Sequence, residues 1–208
     1  RIDVIPHGEF SFYREVAGDP AREKSKEQRL LFFGRIHEYK GIGILLEAFS
    51  QIKEQLPQAK LTIAGEGDLR PYRDQLEKLE DVEVRNHWIP DWEVADLFTN
   101  AELVVLPYLD ASQSGVIPIA YSFAVPVVAT NTGGLAEQVE HLRTGILVPP
   151  NDSKALADHV VQLLANPLLR AELGKNGWEK AQNEWNWETI SSQVALACQK
   201  AVVDFRKE

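Results

Sequence analysis

Apolar positions along this chain alternate between two patterns: short dense runs, and longer stretches in which they recur every three or four residues. The dense runs are Leu30-Leu31-Phe32-Phe33-Gly34, Leu61-Thr62-Ile63-Ala64, Val82-Glu83-Val84, Leu103-Val104-Val105-Leu106-Pro107, Val125-Pro126-Val127-Val128-Ala129-Thr130 and Gly145-Ile146-Leu147-Val148. Runs of this kind read as strands, and Leu103 to Pro107 and Val125 to Thr130 as strands buried on both faces. Ile44, Leu45, Ala48, Phe49 and Ile52 follow the first run at helical spacing. A polar helix is predicted from about Leu69 to Leu79, and another to about Asn100 from the N-cap Asp91, with Glu93 in its first turn. Further helices are predicted over Leu135–Glu140 and Ser153–Ala165. Strands that alternate with helices in this way predict an α/β fold, a doubly wound parallel sheet of about six strands with helices on both faces.

The last third leaves the alternation. Pro167 to Gln182 reads as one helix and Trp187 to about Arg206 as another, with Ile190, Val194, Leu196, Ala197, Ala201 and Val202 in an imperfect apolar stripe. Trp178, Trp185 and Trp187 are expected to pack against the sheet. At the other end, Ile2 to Gly8 reads as a short strand ending in a Pro/Gly turn, and residues 17–29 as an exposed loop. One domain is expected: residues 1–16 a connector, 29–182 the core, 183–208 an extra terminal helix.

Composition narrows the partners. The 208 residues are 44% hydrophobic and 25% charged, as in a soluble globular protein. The formal net charge of −9 argues against nucleic acid or an anionic membrane as the partner of the whole surface. No apolar run reaches the roughly 18 residues of a membrane span, and a single cysteine, Cys198, is expected to be buried or idle and fits a cytoplasmic location, at the membrane surface if a further domain carries the chain there. A chain that starts at Arg1 and holds no methionine is expected to be part of a longer protein.

The chemistry collects where strands run out. After the fourth strand, Asp110-Ala111-Ser112-Gln113-Ser114-Gly115-Val116 leads into a helix whose first N–H groups attract anions. Ser112 and Ser114 offer caps there, and Gly115 admits a ligand close to the backbone. After the first strand, Gly34-Arg35-Ile36-His37-Glu38-Tyr39-Lys40-Gly41 places a guanidinium and an ammonium at the same sheet edge, suited to holding a diphosphate from two sides. Gly65-Glu66-Gly67 after the second strand brings backbone near a ligand, without the full glycine pattern of a dinucleotide site. His87, Trp88 and Ile89 after the third offer surface for a nucleobase, although a tryptophan such as Trp88 is more often core than platform. Glu137, which follows Gly133-Gly134, either favours the dipole of a short helix or bonds sugar hydroxyls. The five histidines show no metal-ligand spacing.

Together these segments resemble the carboxyl-terminal, donor-binding domain of the family 4 retaining glycosyltransferases, built from two Rossmann-like domains in the GT-B arrangement. The resemblance is carried by Phe33-Gly34-Arg35 with Lys40-Gly41, Ile63 to Gly67, Val105-Leu106-Pro107, Pro126 to Thr130, Gly133 to Glu137 and Thr144 to Pro150. It implies a nucleotide-diphosphate sugar as donor, UDP-sugar before GDP- or ADP-sugar, with no cofactor and no metal. It also implies that Val4 to Gly8 connects to an amino-terminal domain binding an acceptor sugar or lipid-linked glycan, and that the final helix crosses back to it. Many members carry Glu-x7-Glu in the donor loop, at the positions of Ser112 and Ala120, so Gln113 and Ser114 are expected to supply those hydrogen bonds here. Arg35 and Lys40, helped by the N–H groups around Ser114, Gly115 and Val116, are the expected catalytic groups, stabilising the departing diphosphate. Three other readings stay open: a binding module without turnover, a related epimerase or phosphorylase, and a dinucleotide-dependent oxidoreductase.

Overall fold

The computed structural model describes residues 5–16 and 28–205. The strand expected over Ile2–Val4 and most of the loop expected at 17–29 therefore lie outside the described residues, and residues 5–8 carry no regular structure. Six strands form one sheet: β1 (Arg29–Phe33), β2 (Lys60–Ala64), β3 (Val82–Arg85), β4 (Leu103–Leu106), β5 (Val127–Thr130) and β6 (Gly145–Val148). Their order is β3-β2-β1-β4-β5-β6 and every pairing is parallel, with Leu30 opposite both Leu61 and Leu103. All four residues of β4 and of β5 are buried, as their continuous apolar sequence requires.

The helices are α1 (Phe12–Val16), α2 (Ile42–Gln55), α3 (Arg73–Leu76), α4 (Asp91–Asn100), α5 (Val116–Ser122), α6 (Leu135–Gln138), α7 (Ser153–Ala165), α8 (Pro167–Glu184) and α9 (Trp187–Phe205). Right-handed crossovers run one way from β1 to β3 and the other way from β4 to β6, so they cover opposite faces. α2 packs on α7, while α4 carries α1 and α5 carries α8.

Several boundaries differ from expectation. Pro90, extended at φ −73° and ψ 158°, is the N-cap of α4, and Asp91 is its first helical residue. The polar helix expected from Leu69 to Leu79 is a 3-10 turn over Arg70–Tyr72 followed by the single turn of α3. Neither fully buries a residue; Leu69, Tyr72, Leu76 and Leu79 pack against the core only in part, too little to hold a longer helix together. α1 was not anticipated; its five residues are too few for a periodic signal.

The tryptophans separate. Trp185 is buried and stacks on Tyr121 with ring centroids 5.5 Å apart, whereas Trp187 is 55% exposed. Trp187 lies over Gly8 and donates its indole N–H to the Glu9 carbonyl at 3.0 Å, so it packs on the incoming segment and not on the sheet. Cys198 is exposed, because α9 touches the body chiefly through α8. No helix among the described residues is long and apolar enough to cross a membrane.

Candidate functional site

In this strand order the chain reverses direction between β1 and β4, and the crevice outside their carboxyl ends is where open α/β sheets bind ligands. The loop after β1 (residues 34–41) and the loop after β4 (107–115) meet there, joined by Leu109 N–H donating to the Tyr39 carbonyl at 2.7 Å. Between them lies a cleft of about 590 Å³ walled by Lys40, Ser112, Gln113, Ser114, Gly115 and Val116, with Phe10, Tyr13, Phe33, Tyr39 and Tyr108 adding aromatic surface.

Two charged residues line this cleft: Lys40, half-buried, and Asp110, exposed at its wall and not paired with Lys40. The Lys40 ammonium donates to the Tyr108 hydroxyl at 2.9 Å and lies 4.6 Å from the centre of that ring. It forms no ion pair among the described residues, and burial lowers its pKa from the ordinary lysine value. Tyr108 is itself buried, which pushes its phenol up to about 12, so it stays a neutral hydroxyl. A Cβ on Gly34 would stand 3.3 Å from Lys40 Nζ, which puts Gly34 beneath the ammonium. A half-buried cation without a carboxylate has capacity left for an anion.

The loop after β4 is built on the loop after β5. Thr130 Oγ1 donates to the Tyr108 carbonyl at 2.5 Å, and Gly134 N–H to the Ala111 carbonyl at 3.0 Å. A Cβ would fall 1.8 Å from Ala111 O if placed on Gly133 and 1.8 Å from Ser112 O if placed on Gly134, so this close approach needs two glycines. Gln138 completes the support, accepting the Ser114 N–H at 2.7 Å and donating to the Ser114 carbonyl at 3.0 Å. Ser114 is 4% exposed; its hydroxyl accepts the Val116 N–H at 3.2 Å and so caps α5, although Gly115 is formally the N-cap. Ser112 and Gln113 are exposed on the cleft wall, and nothing lies within 4 Å of a Cβ on Gly115.

The remaining anticipated residues stand apart from this cleft. Arg35 is exposed, has no hydrogen-bond or ion-pair partner among the described residues, and does not wall the cleft. Gly65 and Gly67 face the first loop: a Cβ on Gly65 would lie 2.2 Å from Gly34 O, and one on Gly67 2.3 Å from Ile36 O. His87, Trp88 and Ile89 follow β3 at the sheet's edge, two strands from β1. There His87 and Arg85 each bond a different oxygen of Glu93 at 3.0 Å; burial works against the charge, but these two partners hold the carboxyl below its usual range. Trp88 is 74% exposed and Ile89 is buried. Glu137 is exposed in α6.

Sequence reasoning missed Tyr108 and Gln138. Tyr108 directly follows the Val105-Leu106-Pro107 strand end and was readable as part of that loop; Gln138 gives no sequence signal, since only folding brings it to Ser114. Phe10 and Tyr13 were missed because they reach the cleft from the opposite end of the chain. No group of three or more His, Cys, Asp or Glu suited to a metal is present among the described residues.

A family model described as Glycosyl transferases group 1 matches residues 27–166. The D-inositol 3-phosphate glycosyltransferase of Pseudarthrobacter chlorophenolicus is 31% identical over 216 residues, covering 98% of this chain and 51% of that protein. A GDP-mannose-dependent alpha-(1-6)-phosphatidylinositol monomannoside mannosyltransferase of Mycolicibacterium smegmatis is 30% identical, covering 77% of this chain and 45% of that protein. Anabaena HepE, solved in complex with UDP-glucose, shares the fold with a TM-score of 0.81 at 22% identity, covering 95% of this chain and 57% of that one. The chain spans about half the length of the curated relatives it matches. With the family model matched from the first strand into the last crossover helix, this chain belongs to the group 1 glycosyl transferases, the GT-B family that its loops resemble.

Proposed function

We propose that the crevice between the β1 and β4 loops holds the diphosphate of a nucleotide-activated hexose, and that the whole protein transfers the hexose to an acceptor with retention of configuration. The observation that carries this reading is Lys40, a half-buried ammonium bonded to a neutral phenol and to no carboxylate among the described residues. As the bond to the sugar breaks, negative charge grows on the departing diphosphate, and a fixed cation at that point lowers the barrier. Arg35, exposed at the start of the same loop, is the second cation, swinging over the opposite phosphate oxygens when the donor arrives. Of the N–H groups at the start of α5, those of Ser114 and Val116 are taken by Gln138 and by the Ser114 hydroxyl, so the Gly115 N–H is the one offered to the same anion, while Ser112 and Gln113 bond the sugar. His87, Trp88 and Ile89 hold the base, and Glu137 a hydroxyl. No metal takes part.

UDP-sugar is the preferred donor in this reading, supported by the fold shared with a UDP-glucose complex; GDP-mannose is the competitor raised by the mannosyltransferase relative. The acceptor, a sugar or lipid-linked glycan, binds an amino-terminal domain reached through residues 1–16, and α9 crosses back toward it. The domain alone binds donor and transfers little.

Calorimetric titration of the chain with UDP, GDP and ADP tests the assignment: Lys40→Ala and Arg35→Ala should each weaken the preferred nucleotide at least tenfold, about 1.4 kcal/mol. Unchanged affinity in both would sink it. A second reading, binding without turnover, is favoured by Ser112 and by Ala120, which is 0% exposed, at the positions where many members carry glutamates. A turnover assay on the full-length protein separates the two.

A further inference from the structure

Gln138, the last residue of α6, grips Ser114 from both sides. Its Oε1 accepts the Ser114 N–H at 2.7 Å and its Nε2 donates to the Ser114 carbonyl at 3.0 Å. One primary amide thus satisfies a main-chain donor and a main-chain acceptor of the same residue, which fixes the local backbone where a single bond would leave it free to turn. Up to Ala111 the donor loop is tied down by main-chain contacts and by the hydroxyls of Thr130 and Thr132. From Ser112 to Gly115, the hydrogen bonds among the described residues that hold the loop all run through Ser114, and both of those to its main chain end on Gln138.

The neighbours of Ser114 are the ones that face the cleft. Ser112, Gln113 and Gly115 are exposed on its wall, whereas Ser114 is buried with its hydroxyl turned to Val116 N–H at 3.2 Å and Tyr108 Oη at 3.5 Å. Neutral side chains make weaker, more direction-dependent bonds than carboxylates, so their effect depends on how firmly the backbone aims them. α6 does not need Gln138 for its own anchoring, because Leu135 and Val139 fill the core beneath it.

We infer that Gln138 is a positioning residue for the donor sugar: through Ser114 it sets the path of residues 112–115 and so the placement of Ser112 and Gln113. The inference rests on the reading of the cleft as the donor site and assigns the residue that shapes its sugar end.

The test is calorimetric titration of the 208-residue chain with UDP, UDP-glucose, GDP and GDP-mannose, in parent, Gln138→Leu, Gln138→Asn and Lys40→Ala forms, with melting temperatures recorded for each. Gln138→Leu should stay folded and bind the preferred sugar nucleotide about tenfold more weakly, losing no more than about threefold for the same nucleotide without its sugar. Gln138→Asn, whose shorter amide reaches one partner, should fall between. If Leu fails to fold, Asn and hydrogen exchange of the Ser114 amide, faster in the variant than in the parent, decide the matter. Folded variants that bind sugar nucleotides like the parent, or that lose equally with and without the sugar, overturn the inference. Lys40→Ala serves as the separate arm: full nucleotide affinity there overturns the reading of the cleft, whatever the Gln138 variants do.

Discussion

Lys40 gives its ammonium hydrogen to the hydroxyl of Tyr108, 2.9 Å away, across the point where the two halves of the sheet part. Tyr108→Phe keeps the ring and removes the acceptor. A hydrogen bond to a charged group contributes about 1.5–3 kcal/mol; without it the ammonium is no longer held in place, so nucleotide affinity should fall about tenfold and the melting temperature should drop as well. Calorimetry of the Phe variant checks this, and affinity equal to the parent's would mean that the ammonium holds its place unaided.

Burial lowers the pKa of Lys40, so its charged form is less favoured in the folded chain than in the unfolded one. The unfolded state then binds the proton more readily, and stability contributed at this site rises as pH climbs through the lowered value. At neutral pH the ammonium is therefore a burden on the fold. Lys40→Met should raise the melting temperature, while it loses nucleotide binding. A lower melting temperature in that variant would show that the lysine stabilises the fold instead.

Glu93 carries the opposite sign. Arg85 and His87 hold its carboxyl below the usual range, so its contribution is present above the unfolded-state value and is lost as pH falls through the folded-state one. Glu93→Gln should destabilise the chain at pH 7 by about 1–2 kcal/mol, less than a fully buried pair because Arg85 and His87 are partly exposed. The gap between variant and parent should close as pH drops below about 4. Thermal melts at pH 7, 5 and 3 measure it.

Gly134→Ala would put a methyl group 1.8 Å from the Ser112 carbonyl. The backbone there, at φ −72°, suits alanine, so the effect is purely one of space. Overpacking of this kind costs about 1–3 kcal/mol, and it should displace the donor loop enough to weaken nucleotide binding as well. A variant with parental stability and affinity would show that the two loops separate freely.

What could be read from the chain follows from how local each signal is. β4, β5, β6 and α7 were legible because each is written in one continuous run: Gly145–Val148 and Ser153–Ala165 match their expected bounds to the residue. Where packing sets the limits, as for the turn at Arg70–Tyr72, propensity alone overran. That Lys40 and Ser112 to Val116 line one cleft could be read from the chain because strand ends mark the edge of the sheet where loops gather. The pair Gly133 and Gly134 reads as opening a short helix before Glu137; their service in the contact between two loops has no sequence pattern of its own. Gln138 and Tyr13 are invisible for the same reason: their partners lie far along the chain.

The ammonium of Lys40 also has a kinetic meaning. A nucleoside diphosphate approaching this chain meets a net charge of −9 before it meets the half-buried ammonium of Lys40. Repulsion at a distance and attraction on contact respond oppositely to ionic strength, since screening reaches only about 10 Å at 0.1 M salt. Added salt should therefore both speed the arrival of a nucleoside diphosphate at this chain and hasten its departure.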